Sequence, residues 1–338
     1  MKKIIYIIFL FIGFSFNCYA STTLDKVQKR GYLNCGISRA VLPGISIHNS
    51  DGKLEGFEIE YCKAIAALTL GDKDKVKYLH VGAKDRFKLL NEGKIDVLIK
   101  DTTATMSREI NFDVLFTGLI YMDHQGLMVK TKDTDNMGSL KIDKVSVCVE
   151  KKSTGIANAK KFFHLRGGDY KLILQEKFAG SIKAFINGKC DVIVSDMMIL
   201  HSIKKMLPES VSAGIIILPY KISNEPISMS VNAGDTNWFH IVNLLRNILV
   251  LSEENGVTSK NIDLLTSSDN FMVNLLWQSN NKIIKTLKLN NDAIYQVIYQ
   301  VGNAREIFER TLGRVLNIDR GLNNIIKNNG VMYSLSIE

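Results

Sequence analysis

The residues of this 338-residue chain best suited to chemistry are Thr102-Thr103-Ala104-Thr105-Met106-Ser107-Arg108, a hydroxyl-rich run ending in arginine, and the lone acid Asp196. An arginine fork takes a carboxylate through two parallel N–H···O bonds, and hydroxyls and backbone N–H groups complete such a site. A carboxylate such as Asp196 holds an ammonium. Together they would suit a zwitterion, such as a free amino acid. Each also has a plainer reading, the arginine run as a solvated helix start and Asp196 as a helix N-cap. Catalytic signatures are absent: no His-Glu-x-x-His, Gly-x-Ser-x-Gly, Walker loop, dinucleotide glycine fingerprint or Cys-x-x-Cys occurs. The six histidines, His48, His80, His124, His164, His201 and His240, are scattered, with no pair at metal-ligand spacing.

The Thr102–Arg108 run directly follows one copy of an internal repeat, and Asp196 ends the other. Phe87-Lys88-Leu89-Leu90-Asn91-Glu92-Gly93-Lys94-Ile95-Asp96-Val97-Leu98-Ile99-Lys100-Asp101 resembles Ile182-Lys183-Ala184-Phe185-Ile186-Asn187-Gly188-Lys189-Cys190-Asp191-Val192-Ile193-Val194-Ser195-Asp196. Each copy reads as an amphipathic helix, a glycine C-cap and a buried parallel strand. Ligands of open α/β sheets bind beyond the carboxyl ends of the strands. The two copies therefore predict two comparable rims, Asp101, Thr102 and Thr103 on one and Asp196 on the other, facing across one cleft. Strand and helix patterns alternate from Leu33 to about Pro219, as expected for an α/β fold. The charged stretch Lys132–Asn136 reads as the crossing to a second lobe and Ile222–Val231 as the return. The expected division is residues 21–131 and 225–338 for lobe one, with C-terminal helices from about 236, and 132–224 for lobe two. Helical spacing follows in Trp238–Leu251, Phe271–Trp277 and Ile294–Leu312.

Length alone favours two lobes, and 46% hydrophobic with 23% charged residues excludes a disordered chain or a multi-span membrane protein. Met1-Lys2-Lys3, an apolar run from Ile4 to Phe16 and Cys18-Tyr19-Ala20 have the order of a secretory signal peptide, residues 1–20. The run is too short for a membrane span, and Phe16-Asn17 argue against lipidation of Cys18. Export leaves four cysteines, and an even number in an exported chain suggests disulfides. Pairing each strand cysteine with its nearest neighbour gives Cys35–Cys62 and Cys148–Cys190, with four free thiols as the alternative. Formal net charge is +9 for the full sequence. The lysines are spread without an arginine-rich or aromatic-basic stripe, so the charge favours solubility and attraction to an anionic membrane surface rather than nucleic acid.

Further motifs carry a family resemblance. They are Arg30-Gly31-Tyr32-Leu33-Asn34-Cys35-Gly36, Gly56-Phe57-Glu58-Ile59-Glu60-Tyr61-Cys62-Lys63-Ala64, the Thr102–Arg108 run, Gly188-Lys189-Cys190-Asp191-Val192, Val301-Gly302-Asn303-Ala304-Arg305-Glu306-Ile307-Phe308-Glu309-Arg310, Arg320-Gly321-Leu322-Asn323 and Gly330-Val331-Met332-Tyr333. In these the chain resembles the periplasmic solute-binding proteins of polar and general amino-acid ABC transporters. The last three motifs and the paired cysteines resemble the larger, general L-amino-acid-binding subgroup.

The resemblance implies a two-lobe α/β fold of the type II periplasmic binding protein class, its first lobe discontinuous and carrying a helical C-terminal extension. It implies a periplasmic, monomeric, non-enzymatic protein that captures a free L-amino acid and delivers it to a membrane permease, with no cofactor or metal. Arg108, helped by Thr103, would take the ligand α-carboxylate and Asp196 the α-amino group; Ser153 and Thr154 would add contacts from the second lobe, and Asp101 and Thr102 would line the same rim. Three positions depart from the family: Ile45 stands for a stacking aromatic, Ala104 for a tryptophan and Lys152 for a glycine, implying a remodelled side-chain pocket. Rival readings are a dehydratase-like enzyme on the same scaffold, using His124 or Glu150, and a sensor or surface protein.

Overall fold

The computed structural model describes residues 22–134, 144–265 and 282–336. The expected signal segment 1–20 and the helical stretch Phe271–Trp277 lie outside the described residues. Helix α1 (Thr23–Arg30) is started by a reciprocal cap between Thr22 and Asp25 and stopped by left-handed Gly31. Then come β1 (Leu33–Ser38), the short pair β2 (Ile47–His48) and β3 (Leu54–Glu55), α2 (Phe57–Leu70), β4 (Val76–Val81), α3 (Arg86–Asn91), β5 (Val97–Leu98), α4 (Met106–Phe112) and β6 (Val114–Asp123). The chain continues through β7 (Gln125–Lys130), β8 (Val145–Glu150), α5 (Gly155–Leu165), β9 (Tyr170–Gln175), α6 (Phe178–Ile186) and β10 (Val192–Asp196). Helices α7 (Met197–Met206) and α8 (Glu209–Ser212), strands β11 (Ile215–Ile217) and β12 (Glu225–Asn232), and helix α9 (Thr236–Glu254) complete the two-lobe core.

Two five-stranded sheets have matching orders, β4-β1-β5-β12-β6 and β9-β8-β10-β7-β11. In each, a parallel trio meets an antiparallel strand, β12 against β5 and β7 against β10. The first lobe is discontinuous, because β12 returns to it. Membership changes between Asp123 and Gln125, earlier than the crossing expected at 131–132. The reason is that β7, with five of its six residues buried, pairs with β10 of the second sheet, so the chain has already changed lobe before its charged stretch begins.

The repeat motif has a mechanical meaning. In both copies a left-handed glycine, Gly93 or Gly188, ends the helix. In both, the motif aspartate then clasps the neighbouring parallel strand. Asp96 N donates to Asn34 O (2.8 Å) while its carboxylate accepts from Asn34 N (2.7 Å). Asp191 does the same to Ser146, N to O at 2.8 Å and carboxylate from N at 2.8 Å. That clasp fixes the register of β5 and β10, and so the positions of the residues at their carboxyl ends.

Downstream, α9 covers the Trp238–Leu251 periodicity as expected. The Ile294–Leu312 periodicity is not one helix. Gly302 at φ 86° interrupts it, and Asn303 caps a new turn at Ala304–Phe308. The C-terminal segment locks onto lobe one: Arg310 pairs with Glu60, Arg320 with Glu253, and the Asn323 amide brackets both backbone groups of Met122.

Cys35–Cys62 and Cys148–Cys190 are both disulfide-bonded, one in each lobe, over separations of 27 and 42 residues. Each bond should contribute about 3–4 kcal/mol in the chain-entropy model. Unfolding in urea, with and without prior reduction, should show that loss for each of the paired Cys→Ser variants Cys35/Cys62 and Cys148/Cys190; an unchanged midpoint would contradict it.

Candidate functional site

A cavity of about 350 Å³ lies between the lobes, lined among others by Ser38, Leu42, Arg86, Asp101, Thr103, Arg108, Gln125, Glu150, Ser153, Thr154, Phe178 and Asp196. The sheet topology explains this composition. Asp101 follows β5 and Asp196 ends β10, the central strands of the two five-stranded sheets, so the clasped repeats deliver both acids to one gap. Arg108 projects from the first turn of α4, where Thr105 caps the helix through Arg108 N (3.2 Å). Its guanidinium donates to Thr103 O at 2.6 Å, and burial holds it below the ordinary arginine range.

Of the residues expected at the site, Asp101, Thr103, Arg108, Ser153, Thr154 and Asp196 line the cavity. Two do not. Thr102 turns beneath it, its hydroxyl donating to Lys100 O and accepting from Arg86 Nη1 (3.3 Å). Ile45 is wholly buried, because the tight Leu42–Ser46 turn through left-handed Gly44 directs it into the core. Leu42 reaches the cavity instead. Ala104 packs beside a small apolar cluster that includes Val81 and Phe87 and is not among the lining residues, so the missing tryptophan alters support rather than the wall. Lys152 does occupy the left-handed region, φ 62°, where glycine is at ease. Asp196 precedes α7 without capping it; Asp123 accepts from Met198 N instead, at 3.1 Å.

The acids are crowded. The Asp101 and Asp196 carboxyls are close enough to perturb each other, and both are held above the usual carboxylate range, first by burial. Asp123, at the end of β6, is pushed up to about 8 by burial and then by Asp101. His124 Nδ1 meets Ser223 O (3.0 Å) at the crossover and is not among the lining residues.

Sequence reasoning missed Gln125, Arg86 and Ser38 of the cavity lining, and the buried acid Glu225, which joins the two lobes. Glu225 opens β12 and accepts from Thr103 Oγ1 (2.5 Å) of lobe one and from Thr154 Oγ1 (2.9 Å) and Asn158 Nδ2 (2.8 Å) of lobe two. Gln125 donates to the same Thr154 hydroxyl at 2.9 Å. Arg86, at the start of α3, is 4% exposed, and its Nε has no acceptor among the described residues. Burial, with Arg108 beside it, pulls its guanidinium down to about 9. The repeat carried a signal for it: Arg86 aligns with Ser181 in the second copy, an arginine where the architecture needs none. Ser38 is held by Glu58, which accepts from its N (2.7 Å) and its hydroxyl (2.5 Å).

The fold and this cleft define a two-lobe binding protein that encloses a small polar solute. Residues 33–290 match the model of the bacterial extracellular solute-binding proteins, family 3, and the chain belongs to that family. It is 35% identical over 319 residues to the general L-amino acid-binding periplasmic protein AapJ of Rhizobium johnstonii, covering 93% of this chain and 92% of that protein. It is 34% identical over 318 residues to the glutamate/glutamine/aspartate/asparagine-binding protein BztA of Rhodobacter capsulatus, covering 93% of each. A periplasmic binding protein of an ABC transporter from Brucella ovis, solved with glutathione bound, superposes with a TM-score of 0.89 at 34% identity, covering 94% of this chain and 99% of that one. No helix among the described residues is long and apolar enough to cross a membrane.

Burial raises the Glu58 carboxyl from 4.5 to about 7. A raised folded-state value means that the stability tied to this proton is complete below pH 4.5 and lost as pH rises through about 7. Glu58→Gln keeps one acceptor and gains a donor toward Ser38. Against wild type it should therefore gain stability as pH rises from 5 to 8, by more than about 1 kcal/mol, since a tenfold change in a proton-binding equilibrium is worth about 1.4 kcal/mol. Urea midpoints at the two pH values check this; parallel curves for the two proteins would refute it.

Proposed function

We propose that this protein is the exported substrate-binding component of an amino-acid ABC transporter, capturing a free L-amino acid between its lobes. The observation that carries the reading is that Arg108 from one lobe and Asp196 from the other line the same cavity. Arg108 takes the ligand carboxylate, with Thr103 beside it. Asp196 takes the ammonium. Ser153 and Thr154 close on the carboxylate from the second lobe, Thr154 leaving Glu225 to do so, and Asp101 completes the rim. The ligand touches both lobes, so it favours the state in which they close, by no more than its differential affinity for that state. A membrane permease then receives the closed form. The chain works in the periplasm as a monomer after removal of residues 1–20. Its own allocation of lobes is residues up to Asp123 with those from Glu225 onward, against 125 to about 224.

The reading assigns no covalent chemistry. Glu150 lines the cavity, and burial raises its carboxyl, so it is the group an enzyme reading would use. Conversion of a bound amino acid by wild-type protein, abolished in Glu150→Gln, would favour that rival.

Thermal-shift screening of the protein lacking residues 1–20 against the common L-amino acids tests the binding reading. The Brucella ovis structure adds glutathione to the screen. A true ligand at a hundredfold excess over its Kd stabilises by about 2.7 kcal/mol, a shift of several degrees. Arg108→Ala should abolish that shift while leaving the unliganded melting temperature within a few degrees. No response to any of these compounds at millimolar concentration would refute the assignment.

A further inference from the structure

Two acids from opposite lobes meet with no protein donor between them. Asp101 Oδ1 and Asp196 Oδ1 are both buried without a hydrogen-bond partner among the described residues, Asp196 being 9% exposed. Two carboxylates cannot hydrogen-bond unless a proton lies between them, because neither ionised group is a donor. The groups facing the pair come from every adjoining element. Lys100 follows β5, Arg86 starts α3 and Arg108 lies in α4; Asp123 ends β6, Glu225 opens β12 and Glu150 ends β8. Five acids therefore face three cations, and a second negative charge on the pair would be strongly opposed.

We propose that Asp101 is a second specificity-determining contact for the ligand's amino group. Asp101 and Asp196 hold one proton between them in the unliganded protein, and the ligand's ammonium takes that proton's place as it bridges the two carboxylates. The proton leaves to solvent and the ammonium N–H groups become the missing donors. The pair's charge rises from one negative to two, and the ammonium brings the compensating positive charge. This inference rests on the amino-acid reading and adds to it. Capture is an exchange of cations, so it must strengthen with pH and must fail for ligands whose amino nitrogen is acylated and neutral. Burial, together with the neighbouring acids, holds the shared proton above the ordinary carboxylate range, so the exchange continues above the pH at which a free carboxyl has already lost its proton.

The test uses the chain lacking residues 1–20. Each of the twenty common L-amino acids, glutathione and the N-acetyl derivative of every hit is screened by thermal shift at pH 5, 6, 7 and 8. Hits are titrated calorimetrically in phosphate and in Tris, whose different ionisation enthalpies count the protons released. Wild type should release close to one proton, with Kd falling by up to about tenfold per pH unit while the pair is protonated. N-acetyl derivatives should give no signal. Asp101→Asn should bind more weakly, release no proton and lose the pH slope, and its circular dichroism should match wild type. Asp123→Asn, altering another buried acid nearby, should keep the slope. Wild-type binding that is tight but flat in pH and independent of buffer would overturn the inference and leave the amino-acid reading standing. So would an intact slope in Asp101→Asn, or a slope lost only in Asp123→Asn. Absence of any binding by wild type would remove both.

Discussion

The structure is organised around one electrostatic constraint, the burial of carboxyl groups from both lobes where the chain crosses between them. Asp123 and Glu225 face each other in the register of β6 and β12, and Gln125 and Asp196 do so in β7 and β10. A carboxylate brought out of water needs donors or a proton, since its unpaired charge is costly in a low-dielectric interior. Each acid here is answered differently. Asp123 caps α7 and the His124 amide. Glu225 gathers hydroxyls and an amide from both lobes. Asp101 and Asp196 have only each other and the cations around them. That unequal satisfaction separates Asp101 and Asp196 from the two acids that hold the crossover together.

Two rigid platforms make the constraint workable. Each lobe repeats the same device, in which a glycine stops a helix, an aspartate clasps the next parallel strand, and a disulfide ties that strand's neighbourhood together. Cys35 lies on the clasped strand β1 and Cys148 on the clasped strand β8. The residues that matter come just beyond these clasps, at strand ends rather than on free loops. The C-terminal segment reinforces the first platform: Asn323 holds Met122, the residue immediately before Asp123 at the crossover. A bracket there limits how β6 can bend, while His124 and the 217–225 connection stay outside it.

Much of this was legible in the chain. The Gly-Lys-x-Asp-Val repeat foretold two like units and the placement of Asp101 and Asp196, because glycine caps and buried parallel strands are local features with local signatures. The family resemblance pointed to Arg108, Thr103, Ser153 and Thr154, and all four line the cavity. Other residues were illegible for identifiable reasons. Ile45 aligns with a pocket position, yet the Gly44 turn aims it inward, and one residue of rotation in a tight turn reverses a side chain. The crossing was expected in a charged stretch, but pairing partners rather than composition decide which sheet a strand joins. Glu225 and Gln125 carried no motif, since their importance comes from neighbours 122 and 29 positions away in the chain.

The amino-acid sequence by itself determined the two-unit architecture, the cysteine partners and the presence of one guanidinium and one acid at equivalent rims. Those follow from periodicity, capping residues and spacing, all of which act over a few residues or within one unit. Only the tertiary structure decided that Glu225 joins both lobes, that Arg86 stands buried beside Arg108, and that Asp101 Oδ1 and Asp196 Oδ1 are buried without partners among the described residues. Such facts arise when two separately folded surfaces are pressed together, and desolvation then sets the protonation of groups that have ordinary chemistry in the extended chain.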